Sequence, residues 1–315
     1  FEVQPFAAAS IGQVHKARLT NGLELAIKIQ FPNIRETIKN DMRSLRFLVN
    51  RAKFLPQDFN SDYYFKICED QLIAESDYIL EAKNIRTYSA FCKTNENLRV
   101  PTVFSEFSTD QILAMSFEDG SELSSQNSIV KLKKNKIAEL LIKLLLDEIF
   151  MFQFVQTDPN LSNFLLKSAD YKVVLLDFGS CSNVSKETKD LYKGLLDVGL
   201  TLNRKKIKNF LNRNGFLPNN IDKNLDDFIN ELIDTVIEEL KFSENFSFAD
   251  SKLFDLIETD KIKEFQKIVP QTLFDPDFIF IQRKILGFLL FFKSINASIP
   301  ILNIIKEYDK TLQNR

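Results

Sequence analysis

The chain has 315 residues, of which 44% are hydrophobic and 27% are charged. This composition supports a sizeable core and excludes intrinsic disorder as the main state. The 41 lysine and arginine residues nearly balance the 43 acidic ones, which leaves a formal charge of -2. Because such a balance gives no electrostatic footprint for a polyphosphate, we expect no nucleic acid partner.

The first third of the chain predicts a small sheet followed by helices. Strand-type runs at Val14–Leu19 and Glu24–Phe31 flank Thr20-Asn21-Gly22, a strong hairpin signal. From Pro32 to about Asn95 the pattern is helical, and Pro56 is expected to divide two helices.

The next segments predict further strands and then helices. Two short strands are expected at Val100–Phe104 and Gln111–Phe117, and the polar run Glu118–Ser121 is interpreted as a hinge. An apolar stripe from Ile137 to Phe152 predicts a long amphipathic helix. Residues Phe164–Lys167 and Lys172–Leu176 read as another hairpin, with helical periodicity resuming at about Lys186.

Cysteine and histidine usage limits the chemistry available to the chain. The three cysteines lie far apart without a C-x-x-C pair, so neither a disulfide framework nor a thiolate zinc site is predicted. The single histidine, His15, excludes multi-histidine metal sites. Acid–base work is therefore expected from carboxylates.

Two motifs near the middle of the chain indicate phosphoryl chemistry. Asp158 precedes Asn163 by five residues, and Asp177-Phe178-Gly179 follows after one hairpin. This is the D-x-x-x-x-N and D-F-G arrangement of the protein kinase fold. Its chemistry needs an acid that orients the nucleophile, together with amide and carboxylate oxygens that hold Mg²⁺ against nucleotide phosphates.

Two upstream features agree with this interpretation. Lys28 ends an A-I-K run late in a predicted strand, where a lysine would reach the nucleotide phosphates. Glu75, Asp77 and Glu81 crowd one predicted helix, and a cation between Asp77 and Glu81 would relieve their repulsion. Lys28 and Mg²⁺ are the available cations, so a Lys28–Glu81 ion pair is predicted, whereas Glu75 should contact another partner.

The segment from Phe6 to Val14 lies where kinases have a glycine-rich phosphate loop, but Gly12 is its only glycine and three alanines occupy Ala7–Ala9. Because alanine largely forbids the positive φ values that glycine permits, this loop is expected to be stiffer and to approach the phosphates differently.

These segments resemble the UbiB family of atypical kinase-like ATPases, in particular its mitochondrial-type coenzyme Q branch. The matching text comprises AAASIGQVHKA (Ala7–Ala17), LAIKIQFP (Leu25–Pro32), ESDYILEA (Glu75–Ala82), FVQTDPNLSNFLL (Phe154–Leu166) and LLDFGS (Leu175–Ser180). Family members also carry a K-x-G-Q motif before the alanine-rich loop. The sequence begins at Phe1 without it, and the natural N-terminus is expected to lie further upstream.

The resemblance implies an α+β, bilobal protein-kinase-like fold. Its N-lobe, residues 1–120, would contain a small sheet with helices, and its C-lobe, residues 121–315, would be mostly helical. The implied cofactors are ATP or ADP with Mg²⁺. The implied catalytic set is Asp158, Lys28 and Glu81; the cofactor-binding set is Ala7, Ala8, Ala9, Ser10, Lys28, Glu75 and Asp77; the metal ligands are Asn163 and Asp177.

The resemblance also implies a role in ubiquinone biosynthesis. The implied partners are the nucleotide, an isoprenoid lipid or quinone intermediate, and a ubiquinone-biosynthesis complex, with peripheral membrane association. In a eukaryote the location would be the matrix face of the mitochondrial inner membrane, and in a bacterium the cytoplasm or inner-membrane periphery.

The reaction itself is expected to be ATP hydrolysis or phosphorylation of a small or lipid-like acceptor. After Gly179 there is no A-P-E element, and helical periodicity resumes too soon for a peptide-binding activation segment. Two alternatives stay open. One is a non-catalytic module that binds nucleotide or isoprenoid lipid. The other is a small-molecule phosphotransferase of the aminoglycoside or choline type, although Gln156 stands where those enzymes have the histidine of H-x-D.

Overall fold

The computed structural model describes residues 1–52, 61–93, 95–125, 132–167, 170–217, 222–257 and 275–314. The chain divides into two compact units. The first unit comprises Phe1–Val130 and Gln156–Ser182, and the second comprises Lys131–Val155 and Asn183–Arg315. The predicted division at residue 120 stays a prediction, and Pro56 lies outside the described residues.

The first unit opens with an antiparallel sheet in the order β1-β2-β3-β5. Its strands are β1 (Ala7–Ala9), β2 (Gly12–Arg18), β3 (Glu24–Gln30) and β5 (Ile112–Ser116). The predicted hairpin between β2 and β3 is confirmed, with Gly22 at φ 87° in its turn. Leu25, Ile27 and Ala114 bury one face of this sheet.

Two predicted features of this region are wrong. The alanine-rich segment is not a loop, because Ala7–Ala9 pairs with β2 in the register Ala7↔Val14 to Ala9↔Gly12, and the turn falls at Ser10 and Ile11. The strand expected at Val100–Phe104 is instead β4 (Leu98–Arg99), and Val103 contributes only an isolated bridge to Met115.

The helices of the first unit are α1 (Ile34–Ala52), α2 (Ser61–Glu75) and α3 (Tyr78–Cys92). The prediction that Glu75, Asp77 and Glu81 share one helix is wrong, because α2 ends at Glu75 and α3 begins at Tyr78. Asp77 is the N-cap of α3 and accepts hydrogen bonds from the backbone N–H groups of Ile79 and Leu80.

A second sheet of the first unit has the order β4-β9-β8-β6. It contains β6 (Ser121–Glu122), β8 (Phe164–Leu166) and β9 (Val173–Leu175), and the predicted β8–β9 hairpin is confirmed. A one-turn 3₁₀ helix, Leu161–Asn163, precedes β8. The short strands β7 (Phe154–Gln156) and β10 (Cys181–Asn183) lie where the chain passes from one unit to the other.

The second unit is mostly helical. Its described helices are α4 (Lys134–Asp147), α5 (Lys186–Leu200), α6 (Arg204–Arg213), α7 (Lys223–Phe242), α8 (Lys252–Ile257), α9 (Pro276–Ser294) and α10 (Ile301–Gln313). The strands β11 (Phe246–Ser247) and β12 (Ser298–Ile299) form a small antiparallel pair. The long helix predicted to reach Phe152 ends at Asp147 and continues as a π-helical turn, Glu148–Phe152.

The apolar stretch Ile285–Phe292 lies within α9 and buries Phe288 and Phe292. Leu286 and Leu290 on the same helix are each about half exposed. Nowhere in the described ranges is a helix both long enough and apolar enough to cross a bilayer. The predicted α+β class is confirmed, because the first unit combines small sheets with three helices and the second unit is mostly helical.

Candidate nucleotide site

Lys28, on β3, lies between two carboxylates of the first unit. Its Nζ donates to Glu81 Oε1 at 2.7 Å and to Asp177 Oδ2 at 3.0 Å. The centre of β3, which carries Lys28, is buried on both faces of the strand. Helix α3 begins at Tyr78 and so places Glu81 in its first turn, beside Lys28. The predicted Lys28–Glu81 ion pair is therefore present.

The three charges are removed from water to different degrees. The side chains of Lys28 and Glu81 are 7% and 1% exposed, whereas Asp177 retains 29%. Burial raises the pKa of Glu81 to about 7 in spite of the adjacent ammonium. Burial alone would lower the pKa of Lys28, but the charges of Asp177 and Glu81 outweigh it and the pKa is raised.

Asp177 is held as an anion at the mouth of this cluster. Burial pushes its pKa upward, but the Lys28 ammonium and the Gly179 N–H outweigh that effect and lower the pKa. The Gly179 N–H donates to Asp177 Oδ1 at 2.9 Å. With one ammonium between two carboxylates, the cluster has an excess of negative charge that a further cation would neutralise.

Asp158 and Asn163 form a second polar pair. Asn163 Nδ2 donates to Asp158 Oδ2 at 2.6 Å, while Asp158 Oδ1 accepts from the Asn160 N–H at 3.1 Å. The Leu161–Asn163 turn, capped by the Asn160 side chain, sets this geometry. Because the Asn163 amide nitrogen is engaged, its carbonyl oxygen is the atom left for a cation.

A cavity of about 700 Å³ lies beside both pairs and wholly within the first unit. Lys28, Asp177 and Asn163 line it together. The other lining residues are Phe6, Ala7, Ala8, Ala9, Val14, Ala26, Met115, Ser116, Phe117, Glu118, Asp119, Gly120, Glu122, Ser162, Leu165 and Leu176. This volume falls in the range of sites that enclose small organic ligands.

The residues present fit a magnesium nucleotide. Asp177 and Asn163 offer hard oxygen donors on the cavity wall, and Lys28 offers a cation on the same wall. Within the described ranges no group of three or more His, Cys, Asp or Glu side chains could hold a metal ion by itself. A magnesium ion here would thus need oxygens from phosphates and water, as is usual for this ion. Glu81 Oε2 is buried without a hydrogen-bond partner.

Several residues predicted for the site do not line the cavity. Ser10, in the turn after β1, is absent from the lining, as are Glu75, Asp77, Glu81 and Asp158. The cation expected between Asp77 and Glu81 is not needed there, because Asp77 caps α3 and pairs with Arg35 at 3.7 Å. Glu75 accepts from Gln71 at 3.2 Å and its backbone lies against Gly179.

The sequence interpretation missed two groups around the site. Asn84, one turn after Glu81 on α3, donates from Nδ2 to the Phe178 carbonyl at 2.9 Å. Its position on the face of the predicted helix that carries Glu81 was the available signal. Glu118, assigned to a hinge, pairs with Lys167 at 3.1 Å and with Arg99 at 3.4 Å, and no local pattern indicates these contacts.

The single histidine has no part in this site. His15 is buried, its Nδ1 lies 3.0 Å from the Glu2 carbonyl oxygen, and its ring stacks on Phe1 with centroids 5.1 Å apart. The position before Thr157 and Asp158 is occupied by Gln156, which is 1% exposed.

Comparison with known proteins identifies relatives of the chain. It is 32% identical over 259 residues to the mitochondrial atypical kinase COQ8 of Saccharomyces cerevisiae, a match that covers 82% of this chain and 52% of the yeast protein. It is 37% identical over 191 residues to the mitochondrial atypical kinase COQ8B of Rattus norvegicus, covering 61% of this chain and 36% of the rat protein. The chain thus spans about half the length of these relatives or less.

Among solved structures, the complex of Rv3197 with erythromycin from Mycobacterium tuberculosis resembles the chain with a TM-score of 0.74. The match covers 97% of this chain and 76% of that chain at 21% identity, and such a likeness shows a shared fold alone.

A family model described as the ABC1 atypical kinase-like domain matches residues 1–211. That range contains Lys28, Glu81, Asp158, Asn163 and Asp177. It follows that the chain belongs to the ABC1 family of atypical kinase-like domains, which confirms the resemblance to the UbiB atypical kinases.

Proposed function

We propose that the chain binds ATP or ADP with Mg²⁺ in the cavity of the first unit and acts as an atypical kinase-like ATPase. One observation carries the proposal: Lys28 Nζ, which donates to Glu81 behind it, also donates to Asp177, and Lys28 and Asp177 line a cavity large enough for a nucleotide. Its family membership and its kinase-named relatives support the same reaction class.

In this proposal each polar side chain has a separate task. Lys28, fixed by Glu81, donates to phosphate oxygens, and the Asp177 carboxylate and the Asn163 carbonyl oxygen hold the metal ion. Bound Mg²⁺ would supply charge neutralisation of the phosphates. Asp158, oriented by the Asn163 amide, accepts a proton from the attacking hydroxyl or water.

The remaining predicted residues act around this set. Ala7, Ala8 and Ala9 form the strand that borders the phosphate end of the cavity, with Ser10 at its turn. Asp77 fixes the start of the helix that carries Glu81, and Glu75 backs Gly179. Because alanine side chains occupy β1, the backbone there approaches a phosphate less freely than a glycine loop does.

We infer that the acceptor is water or a small or lipid-like molecule. From Gly179 to the start of α5 at Lys186 the described chain contains only the short strand β10 and the Ser185 cap. A peptide substrate of a protein kinase docks on a much longer segment at this point. The short connection therefore offers a peptide little to bind.

The names of the relatives suggest the biological setting. The COQ8 proteins are named as mitochondrial atypical kinases, and a role beside a ubiquinone-biosynthesis complex, at a membrane periphery, is our proposal for this chain. The location would be the mitochondrial matrix face in a eukaryote. An isoprenoid lipid or quinone intermediate would be the associated small molecule.

Purified protein tested for nucleotide binding and Mg²⁺-dependent ATP turnover decides the proposal. Asp177→Asn is the test variant, because it removes one anionic metal ligand and keeps the side-chain shape. Asp170→Asn, at an exposed hairpin position, is the matched control. We expect turnover in wild type and in the control and loss of at least tenfold in Asp177→Asn. Equal rates in all three proteins would refute the enzyme, and binding without turnover would favour a non-catalytic module.

A further inference from the structure

Helix α3 turns one face toward Phe178, the central residue of the Asp177–Gly179 turn. Glu81, Asn84 and Tyr88 are spaced three and four residues apart, so they lie above one another on this face. These three residues are 1%, 7% and 0% exposed, and Phe178 is 0% exposed. The contact is therefore sealed from water.

The three side chains contact three different parts of Phe178. Glu81 Oε1 accepts from the Phe178 N–H at 3.3 Å, and Asn84 Nδ2 donates to the Phe178 carbonyl at 2.9 Å. The Tyr88 ring packs on the Phe178 ring with centroids 4.9 Å apart. Both peptide groups of Phe178 are thus bound by one helix.

These contacts restrain the residue that would hold the metal. The Phe178 N–H belongs to the peptide that leaves Asp177, and its carbonyl belongs to the peptide that enters Gly179. The Gly179 N–H in turn donates to Asp177 Oδ1. Rotation of the Phe178–Gly179 peptide would therefore move the hydrogen bond that orients the Asp177 carboxylate.

Asn84 makes the contact that is easiest to separate from the rest of the cluster. Glu81 also binds Lys28, whereas the Asn84 amide donates to the Phe178 carbonyl. The other donor to that carbonyl is the Cys181 thiol at 3.4 Å, and a thiol is a weak donor. Loss of the Asn84 amide would leave a buried carbonyl poorly satisfied.

We propose that Asn84 is a positioning residue that orients Asp177 for metal binding by fixing the Phe178–Gly179 peptide. The inference rests on the proposed function, since it assigns Asp177 to the metal of a bound nucleotide. Neither the family match nor the sequence motifs assign a role to Asn84.

The test compares metal affinity with metal-free nucleotide affinity. Asn84→Leu has the same branched side-chain skeleton and no donor, Asn84→Gln keeps an amide donor, and Lys83→Ala on the exposed side of α3 is the control. Mn²⁺, followed by electron paramagnetic resonance, replaces Mg²⁺ in titrations of the ADP complex. ADP binding without metal is measured by calorimetry.

We expect Asn84→Leu to weaken Mn²⁺ binding on the order of tenfold, as the loss of one buried hydrogen bond implies. Metal-free ADP affinity should stay within about twofold of wild type, and Asn84→Gln should recover part of the metal affinity. Unchanged Mn²⁺ binding would overturn the proposal. So would an equal loss of metal and metal-free ADP binding, because that pattern indicates a purely structural role. Asn84→Ala, which removes the donor without adding a charge, replaces the leucine variant if that protein does not fold.

Hydrogen exchange on the ligand-free protein separates this inference from the proposed function. Faster exchange at residues 175–182 in Asn84→Leu, with no change in Lys83→Ala, supports the positioning role, and unchanged exchange overturns it. If wild-type protein binds neither ADP nor Mn²⁺, the proposed function fails, and the exchange result still decides whether Asn84 fixes this turn.

Discussion

Lys28 Nζ lies 3.0 Å from Asp177 Oδ2, which joins residues separated by 149 positions in the sequence. The same ammonium binds Glu81 at 2.7 Å, so one cation serves two carboxylates inside the first unit. Burial has the largest effect on the pKa of Glu81. The Lys28 ammonium does not overcome this effect, because its one positive charge is shared between two carboxylates. An added cation is the natural complement of this cluster.

Glu81 should make stability depend on pH between about 4.5 and 7. Burial raises its folded pKa to about 7 from an ordinary 4.5, so in this window the folded state binds a proton that the unfolded state has lost. Stability contributed by this group is therefore lost as pH rises, by at most about 1.4 kcal/mol per pH unit. The raised pKa of Lys28 and the lowered pKa of Asp177 act outside this window.

Urea unfolding of wild type and Glu81→Gln from pH 5 to pH 8 measures this effect. The difference in unfolding free energy, wild type minus Glu81→Gln, should fall as pH rises and level off above 7. Other titrating groups are common to both proteins and cancel in the difference. A difference that is flat or rises with pH would show that Glu81 has no raised pKa.

Tyr78→Phe should leave the protein as stable as wild type or make it more stable by about 1 kcal/mol. Tyr78 is 1% exposed and its hydroxyl has no hydrogen-bond partner, while burial raises the pKa of the phenol to about 12. Removing a buried polar group without a partner relieves a desolvation penalty. Chemical denaturation checks this. A clear loss of stability would indicate that a buried water satisfies the hydroxyl.

The parts of the site that follow short-range patterns could be predicted from the sequence. The Thr20-Asn21-Gly22 turn specified the β2–β3 hairpin, and the spacing of Asp158, Asn163 and Asp177 indicated phosphoryl chemistry. The Lys28–Glu81 pair was predicted from the repulsion expected between Asp77 and Glu81 on one helix; the pair is present, although Asp77 is the N-cap of α3 and not part of the helix.

Features set by tertiary contacts could not be predicted in this way. Helical periodicity in the sequence runs through Ser76 and Asp77, but in the structure the helix is interrupted there, between α2 and α3. The buried Ser76 hydroxyl donates to the Ile73 carbonyl, and the Ser76 carbonyl accepts from Gln30 and Arg35. Similarly, three alanines are weak strand formers, and only pairing with β2 makes them a strand.

A buried ion pair in the second unit should be strongly non-additive. Lys284 Nζ donates to both oxygens of Glu148, at 2.7 and 2.8 Å, and both side chains are 0% exposed. Lys284→Met alone should lower the unfolding free energy by about 3–5 kcal/mol, because it leaves a buried carboxylate without its cation. Lys284→Met with Glu148→Leu should recover most of that loss, since two apolar side chains of similar volume can replace a buried pair. Denaturant unfolding of the single and double variants gives the coupling energy, and simple additivity would contradict the expectation.

Two glycines give opposite predictions for the same substitution. A Cβ added at Gly12, the first residue of β2, would lie 2.2 Å from the Ile29 carbonyl oxygen and 2.9 Å from its carbon. Both atoms belong to the backbone of β3, so the contact can be relieved only by separating paired strands, and we expect Gly12→Ala to destabilise by about 3 kcal/mol or more.

At Gly199 in α5 an added Cβ meets nothing within 4 Å. Gly199→Ala should therefore stabilise by about 0.5–1 kcal/mol through helix propensity. Thermal unfolding of the two variants beside wild type tests both signs at once. A Gly12→Ala protein as stable as wild type would mean that β2 and β3 do not approach each other this closely at Gly12.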